Sequence, residues 1–519
     1  MIWFALYLPQ LPLEAWRTAA AHDSAATRPC CVVETRRVVR ADAAAVALGI
    51  EIGMSSASAA ALVAGEGGLQ IFARDTAREA AQMRRLAFAL ARFTPSVVLQ
   101  PDAVLLEVSA SLRLFGGAPN LWRAVRVAAR VSGVRSLRMS AAPTATAAAV
   151  LARAEPASVA RSALPPPPSA SRRELAAWWP SIHQRLDALP LEAAAQAWQL
   201  EPRLLELLQG VGCRTLGDVR MLPRAGTQRR GAAALLDAID RAHGQAPDPQ
   251  SWLELPAHFE MGLELLHRAD DAAMLVFAAQ RLVQSLAGWL TCQWLAAARL
   301  TLVLRHETSL RHAQPDTLLT LSLADPTRDA SQIILLLRER LQRTALTAPV
   351  YALTLRLDQS VSHAGRATAL WREAGNGSGE QARALFDRLA ARLGPERVQR
   401  AQLLTDHRPE KAMDWVPLTQ APAHGRSEAR PTLSAAARPA WLLAQALPLA
   451  EDAALGRPLY QGTSLTLLTR AERIESGWFD GAMVSRDYHI AQAADQRWLW
   501  VYRERRGAQS QWFLHGLFG

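Results

Sequence analysis

FTPSVVLQPDAVLLEVSASLRLFGG, Phe93 to Gly117, is the stretch on which the fold reading turns. A Phe-Thr-Pro entry leads into an apolar run, which Gln100-Pro101-Asp102 interrupts with turn-forming residues. The stretch reads as two strands about that turn, with Asp102 at the handover and Phe115-Gly116-Gly117 as the closing turn. Upstream, residues 74–92 read as an Arg-studded amphipathic helix with Met83, Leu86 and Leu90 inward. Residues 1–10 read as a strand and 11–27 as helical. Residues 29–65 read as a hairpin, Cys30–Val33 with Val38–Ala41, then a helix ending at Gly49 and another after Gly53-Met54. Downstream come a helix (118–132), a strand (135–140) and an Ala-rich helix (144–154).

The rest of the chain changes character in steps. PPPP within Leu164–Ser169 reads as a linker, followed by short helices around LLQGVGCRTLGDVRMLP (207–223). Residues 251–357 read as strand (254–265), helix (271–291), strands (298–307 and 317–325), helix (329–345) and strand (351–357). That βαββαβ order is a small sheet with two helices on one face. Residues 359–440 are rich in Gly, Ala, Arg and Pro, with one clear helix (380–393). The last eighty residues are dense in Trp and Tyr, with strand-like runs at Leu465–Thr469, Tyr488–Ala491, Trp498–Tyr502 and Trp512–Leu514. The fold class expected is α+β and multidomain.

At 519 residues the chain has room for three to five domains of about 100–200 residues each. No apolar run reaches about 18 residues, so no membrane span is expected. The apolar start has no basic region and carries Glu14, so it reads as a strand rather than a signal peptide. Four cysteines form neither a disulfide framework nor a metal-ligand spacing, as expected of a reduced, cytoplasmic protein. The net charge of +11 points to a polyanion partner. Lys411 is the only lysine, and a GC-rich genome would by itself enrich Arg and Ala.

The opening stretch resembles the second catalytic motif of Y-family translesion DNA polymerases, Phe-Thr-Pro leading to an Asp-Glu pair and Leu-Asp-Val. Here that run is Asp102-Ala103-Val104-Leu105-Leu106-Glu107-Val108. The order of elements resembles the family's over about residues 1–358. The resemblance implies a palm (1–10 and 74–164), fingers (11–73), a helix-hairpin-helix-like thumb (170–249) and a βαββαβ little finger (250–358). A linker (359–440) and an aromatic-rich β module (441–519) would follow.

The same resemblance implies that catalytic positions are lost. Family members hold two metal ions with clustered carboxylates. Tyr7 and Pro9 stand where the first motif has Asp-x-Asp, and Ala103 replaces the Glu beside Asp102. Ala43 and Val46 occupy the Tyr-x-x-Arg positions for the triphosphate, and Ala145 and Ala149 fall where lysines follow the Ser-x-Ala-Pro-like turn. The expectation is a protein without metal, cofactor or catalytic residue, Asp102 being a remnant. The rival is an active polymerase with unconventional ligands drawn from Asp102, Glu107 and Glu14.

For DNA binding, Gly210-Val211-Gly212 matches a hairpin turn whose N–H groups hold phosphate, with a purely structural turn as the alternative. Arg299, Arg305 and Arg356 alternate with apolar residues, so they share the outer face of the little-finger sheet.

Beyond residue 358 the chain resembles the ImuB-type branch of bacterial mutagenic repair cassettes. The matching runs are DHRPEKA (406–412), ARPAWLL (437–443), RIESGWFDGAMVSRDYHIA (473–491), RWLWVYRERR (497–506) and WFLHGLFG (512–519). This resemblance implies a scaffold on damaged or primer-template DNA, induced in the SOS response and nucleoid-associated. Its implied partners are the sliding clamp, an error-prone C-family DNA polymerase and an ImuA-type RecA-like protein, with no membrane. A clamp peptide of the Gln-x-x-Leu-Phe/Trp kind is expected at Leu370-Trp371, with Ala367 in the Gln place. Gln381…Leu385-Phe386 is a poorer candidate, because a helix there would bury Leu385 and Leu389. A third reading is an interaction module that does not bind DNA.

Overall fold

The computed structural model describes residues 1–16, 28–63, 68–155, 171–307, 315–346, 348–362, 376–418, 437–505 and 510–518. They form two compact units, Met1–Arg392 and Leu393–Gly519. In the first, Trp3–Tyr7 (β1) is followed by a single helical turn, Leu11–Glu14 (α1), shorter than the helix expected there. The remainder of that expected helix, 17–27, lies outside the described residues. Cys30–Glu34 (β2), Arg37–Ala41 (β3) and Gln70–Ala73 (β4) make a three-stranded sheet in the order β3-β2-β4. Ala43–Ala47 (α2) and Ser56–Leu62 (α3) pack on it around Ile50 and Val63.

Thr76–Leu90 (α4) leads to the two strands read from the opening stretch, Val97–Leu99 (β5) and Ala103–Glu107 (β6). Their turn closes with the Gln100 N–H on the Ala103 carbonyl at 2.9 Å. Ala118–Val131 (α5), Arg138–Ala142 (β7) and Ala145–Ala154 (α6) complete a sheet in the order β5-β6-β1-β7. β1 is central, and Phe4, Ala5 and Leu6 are fully buried because helices cover both faces. That is why the strand reads as a continuous apolar run rather than an alternating one.

Residues 156–170, with the expected Pro-rich linker, lie outside the described set. Next come Arg172–Asp187 (α7), Leu191–Trp198 (α8), Pro202–Gly210 (α9), Leu216–Met221 (α10), Arg224–Thr227 (α11) and Ala233–Ala242 (α12). Of these, α7, α8 and α12 pack on α6, where Ala148, Ala149 and Ala152 are buried and their small side chains let helices approach closely. Polar contacts fasten both ends of that seam. At one, Arg185 donates twice to the buried Glu155 carboxylate, each bond 2.7 Å. At the other, the Thr146 N–H and hydroxyl donate to Asp248 at 2.9 and 2.8 Å.

The βαββαβ element is present as Glu260–Ala269 (β8), Ala272–Cys292 (α13), Leu295–His306 (β9), Thr317–Thr327 (β10), Ala330–Gln342 (α14) and Val350–Ser362 (β11). The sheet order is β10-β9-β11-β8. β8 starts later than the strand expected at 254–265, since its paired alternation begins only at Glu260. Among the described residues, α13 is the one helix whose length and composition would suffice to cross a membrane. It is a core helix, buried between its own sheet and α4. At the crossing with α4, a Cβ on Gly288 would stand 1.8 Å from the Phe88 carbonyl oxygen, so only glycine permits this approach. The Ser285 hydroxyl donates to the Arg85 carbonyl (3.0 Å) and Arg92 donates to Gln284 (2.9 Å) along the same seam. Asn376–Leu393 (α15) ends this unit, burying Asp387, Ala390 and Ala391.

In the second unit, Gln399–Leu403 (β12) and Met413–Pro417 (β13) pair, so part of the expected linker is a hairpin. An eight-stranded antiparallel system follows: Trp441–Glu451 (β14), Pro458–Tyr460 (β15), Thr463–Ser464 (β16), Thr466–Leu467 (β17), Glu472–Ser476 (β18), Val484–Gln492 (β19), Trp498–Glu504 (β20) and Trp512–Leu517 (β21). Tyr488, Trp500 and Tyr502 form its aromatic core, and the Tyr488 hydroxyl meets His515 Nδ1 at 2.8 Å. Burial pushes the Tyr502 hydroxyl up to about 12. The DHRPEKA run has a structural use here. Arg408 is buried and bridges Asp406 and Asp480, each at 2.7 Å, while Lys411 reaches Asp480 at 2.9 Å. The loop so held presents Trp478 and Phe479, 78% and 60% exposed.

Candidate nucleic-acid interface and palm cleft

β1 lies between β6 and β7 in a register that sets Tyr7 opposite Ala103 on one side and Arg138 on the other. Tyr7 and Ala103, two of the positions expected to have lost a carboxylate, are therefore neighbours in space. Beside them lies a cleft of about 330 Å³ lined by Tyr7, Pro9, Asp102 and Arg153, by Arg40, Arg74 and Glu79, and by α8 residues Ala193, Gln196 and Ala197.

Asp102 does not face the cleft as a free carboxylate. Arg153, near the end of α6, donates from Nε to its two oxygens at 3.2 and 3.4 Å and from Nη2 to Oδ1 at 2.5 Å. Nη2 also donates to Gln100 Oε1 at 2.7 Å. The Arg153 and Arg138 guanidinium carbons stand 5.8 and 5.9 Å from the Tyr7 ring centre, within cation–π range. The other cleft cations are likewise engaged: Arg40 Nε donates to the Pro9 carbonyl at 3.0 Å, and Arg74 pairs with Glu79 at 2.9 Å. The residue that sequence reasoning missed is Arg153. Its signal was available, because Ala145, Ala149 and Arg153 are spaced i, i+4, i+8 and share one helix stripe.

The acids offered for an unconventional metal site lie elsewhere. Glu107 accepts the Ser109 N–H at 3.1 Å. Glu14 is buried and accepts the N–H groups of Arg135 and Ser136 at 3.1 and 2.5 Å; burial pushes its carboxyl up. Among the described residues no group of three or more His, Cys, Asp or Glu side chains converges as a metal site. In the fingers, Asp42 caps α2 by accepting the Ala45 N–H at 2.7 Å, and Val46 is exposed.

Gly210 and Gly212 end helix α9 rather than open one, Gly212 being left-handed at φ +96°. At the next helix start, Asp218 accepts the N–H groups of Arg214 and Thr215, both at 2.8 Å. These bonds hold its carboxyl below the usual range. A phosphate would find those donors taken and a carboxylate in place.

Arg299, Arg305 and Arg356 do share the exposed face of the sheet, and Leu300, Leu302 and Leu355 point to the core. The face is mixed in charge. Arg356 pairs with Asp358 at 2.8 Å, and register places Glu260 beside Arg356 and Glu264 beside Ala352. Arg78 of α4 pairs with Glu264, and Arg85 donates to the Gly262 carbonyl at 3.3 Å, so the β8 edge is covered by the palm helix. The expected clamp peptide, Ala367 to Trp371, lies outside the described residues. Leu385, expected to be buried, is 53% exposed, because α15 turns Asp387 and Ala390 inward instead.

Residues 17–153 match the model of the impB/mucB/samB family. β1, with Tyr7 and Pro9, precedes the matched range. The chain is 28% identical over 507 residues to Protein ImuB from two strains of Caulobacter vibrioides, covering 91% of this chain and 100% of theirs. Among solved structures, a Dbh ternary complex (14% identity, TM-score 0.37) and DinB from Sulfolobus solfataricus (14% identity, TM-score 0.36) each align over 70% of this chain and 99% of their own. Residues 17–153 are thus similar to the impB/mucB/samB family, and the chain along nine-tenths of its length is similar to Protein ImuB.

Proposed function

We propose that this protein is a DNA-binding, polymerase-like scaffold that carries out no nucleotidyl transfer itself and serves error-prone translesion synthesis after damage. The observation that carries the reading is the state of Asp102. Nucleotidyl transfer in this fold family uses two divalent ions, which demand several hard oxygen ligands. Tyr7, Pro9 and Ala103 supply no carboxylate, and both oxygens of Asp102 are engaged by Arg153. The donor set does not fit a metal pair.

DNA binding is supported by the +11 charge and by Arg299 and Arg305 on the sheet face, where phosphates would be their counterions. Recruitment of a sliding clamp through Leu370-Trp371 follows from the sequence motif. Recruitment of a C-family polymerase and a RecA-like partner follows from the likeness to Protein ImuB. The exposed Trp478-Phe479 loop, held from beneath by Arg408, has the aromatic character of a protein-docking surface.

Primer extension with Mg²⁺ or Mn²⁺ tests the core of this. Purified protein should add no nucleotide above background; template-dependent addition abolished by Asp102→Asn would overturn the reading. Clamp pull-down should fall when Leu370→Ala and Trp371→Ala are combined.

A further inference from the structure

The metal ligands are not merely absent from the palm; a cation of the chain's own stands with the acid that remains. We infer that Arg153 is a built-in replacement for the divalent cation of the palm, so that this cleft folds and engages DNA without any metal ion. The DNA part rests on the proposed function; the metal part does not.

Asp102 sits on the β5–β6 turn at the mouth of the cleft with its side chain 42% exposed, and the Arg153 side chain beneath it is only 14% exposed. The buried partner is the cation, and Asp102 is the counterion that balances it. Arg153 is held at fixed geometry: three contacts of 2.5 to 3.4 Å to Asp102 and one of 2.7 Å to Gln100. A guanidinium is always charged and its planar fork suits a carboxylate, so the pairing does not depend on ion concentration.

The surroundings complete the substitution. The Tyr7 ring, where a carboxylate would have faced a metal, lies between two guanidinium groups, those of Arg138 and Arg153. An aromatic face attracts such cations, whereas a phenol hydroxyl is a poor ligand for Mg²⁺. α6 holds Arg153 rigidly, because its opposite faces are buried alanines packed on both the sheet and the thumb helices. The cation therefore belongs to the same rigid helix that joins palm to thumb.

The test uses the full chain and Mn²⁺ as the probe. Electron paramagnetic resonance should find no bound Mn²⁺, and the melting temperature should be the same in EDTA and in millimolar Mn²⁺ at matched ionic strength. Stoichiometric Mn²⁺ binding that Asp102→Asn removes would overturn the inference, and this arm needs no variant at Arg153. Asp102→Asn should lower the melting temperature, and adding Arg153→Ala should recover part of the loss, since the unpaired guanidinium is its cause. Primer-template affinity should agree within about twofold between EDTA and Mg²⁺ at matched ionic strength. Affinity lost only in EDTA would overturn the inference while leaving DNA binding intact. No DNA binding in any buffer would overturn the proposed function, and the Mn²⁺ arms would still decide the role of Arg153.

Discussion

Two arginine-bearing surfaces of the first unit use the same side chain in opposite ways. In the palm cleft, Arg153 turns inward and is engaged by Asp102 and Gln100. On the β8–β11 sheet, Arg299 donates to the Ser322 hydroxyl at 3.2 Å, and Arg305 stands exposed. A guanidinium already bonded to a carboxylate offers little to a phosphate, whereas an exposed one can release counterions on binding. Arg153 in the cleft is thus held by its neighbours, whereas Arg299 and Arg305 on the sheet face stay exposed to solvent.

The largest effect is expected where the two surfaces are joined. Gly288→Leu would drive a side chain into the Phe88 carbonyl, which a Cβ alone would approach to 1.8 Å. Because the obstacle is backbone, no rotamer relieves it, and the cost should be about 3 kcal/mol or more. Thermal melting and limited proteolysis should show the β8–β11 sheet and its helices released from α4. A variant that melts like the parent would mean that the helix crossing does not hold the two together. Next in size, Glu155→Ala leaves Arg185 without its two 2.7 Å bonds at the palm–thumb seam. It should cost on the order of 2–3 kcal/mol in a denaturant titration.

Smaller but more telling is the contrast between the arginines. Combining Arg299→Ala, Arg305→Ala and Arg356→Ala should weaken primer-template binding about tenfold and lower the salt slope by about 2. Arg356 should contribute least, since Asp358 is 2.8 Å away. Arg153→Ala should leave the slope unchanged. A slope that falls as much for Arg153→Ala as for the sheet arginines would erase the distinction between the two surfaces.

Much of this architecture was legible in residue order, because periodicity and turn residues report local structure. The β5–β6 turn and the βαββαβ element are plain in the apolar alternation. Sequence order alone did not show that Tyr7 and Ala103, 96 positions apart, stand opposite each other; the strand register does. What sequence hid was pairing across distance. The helix stripe of Ala145, Ala149 and Arg153 marks a face but names no partner, and Asp102 is 51 positions away, as Asp480 is 72 from Arg408. At Gly210-Val211-Gly212 sequence left two readings open, a phosphate-holding turn and a purely structural one. Glycine spacing reports a turn, but not that Asp218 already takes the N–H groups of the helix that follows.

The smallest effect concerns Glu14, a third way in which this unit treats charge. Its carboxyl is buried, its Oε1 accepts two backbone N–H groups, and burial pushes its pKa above the ordinary carboxylate value of about 4.3. A carboxyl whose pKa is higher in the folded than in the unfolded chain holds its proton longer when folded. Between the ordinary and the raised value the folded state binds more protons, so stability declines as pH rises through that window. Above the raised value the group is charged and the cost of burying that charge is fully present. Glu14→Gln keeps the acceptor for Arg135 and Ser136 and removes the charge. The variant's stability relative to the parent should therefore grow as pH rises from the ordinary carboxylate value through the raised one. Urea midpoints followed from acidic to neutral pH measure it. A difference that stays flat, or shrinks toward neutral pH, would show that the surrounding N–H groups and the nearby Arg281 stabilise the charged carboxylate enough to outweigh its burial.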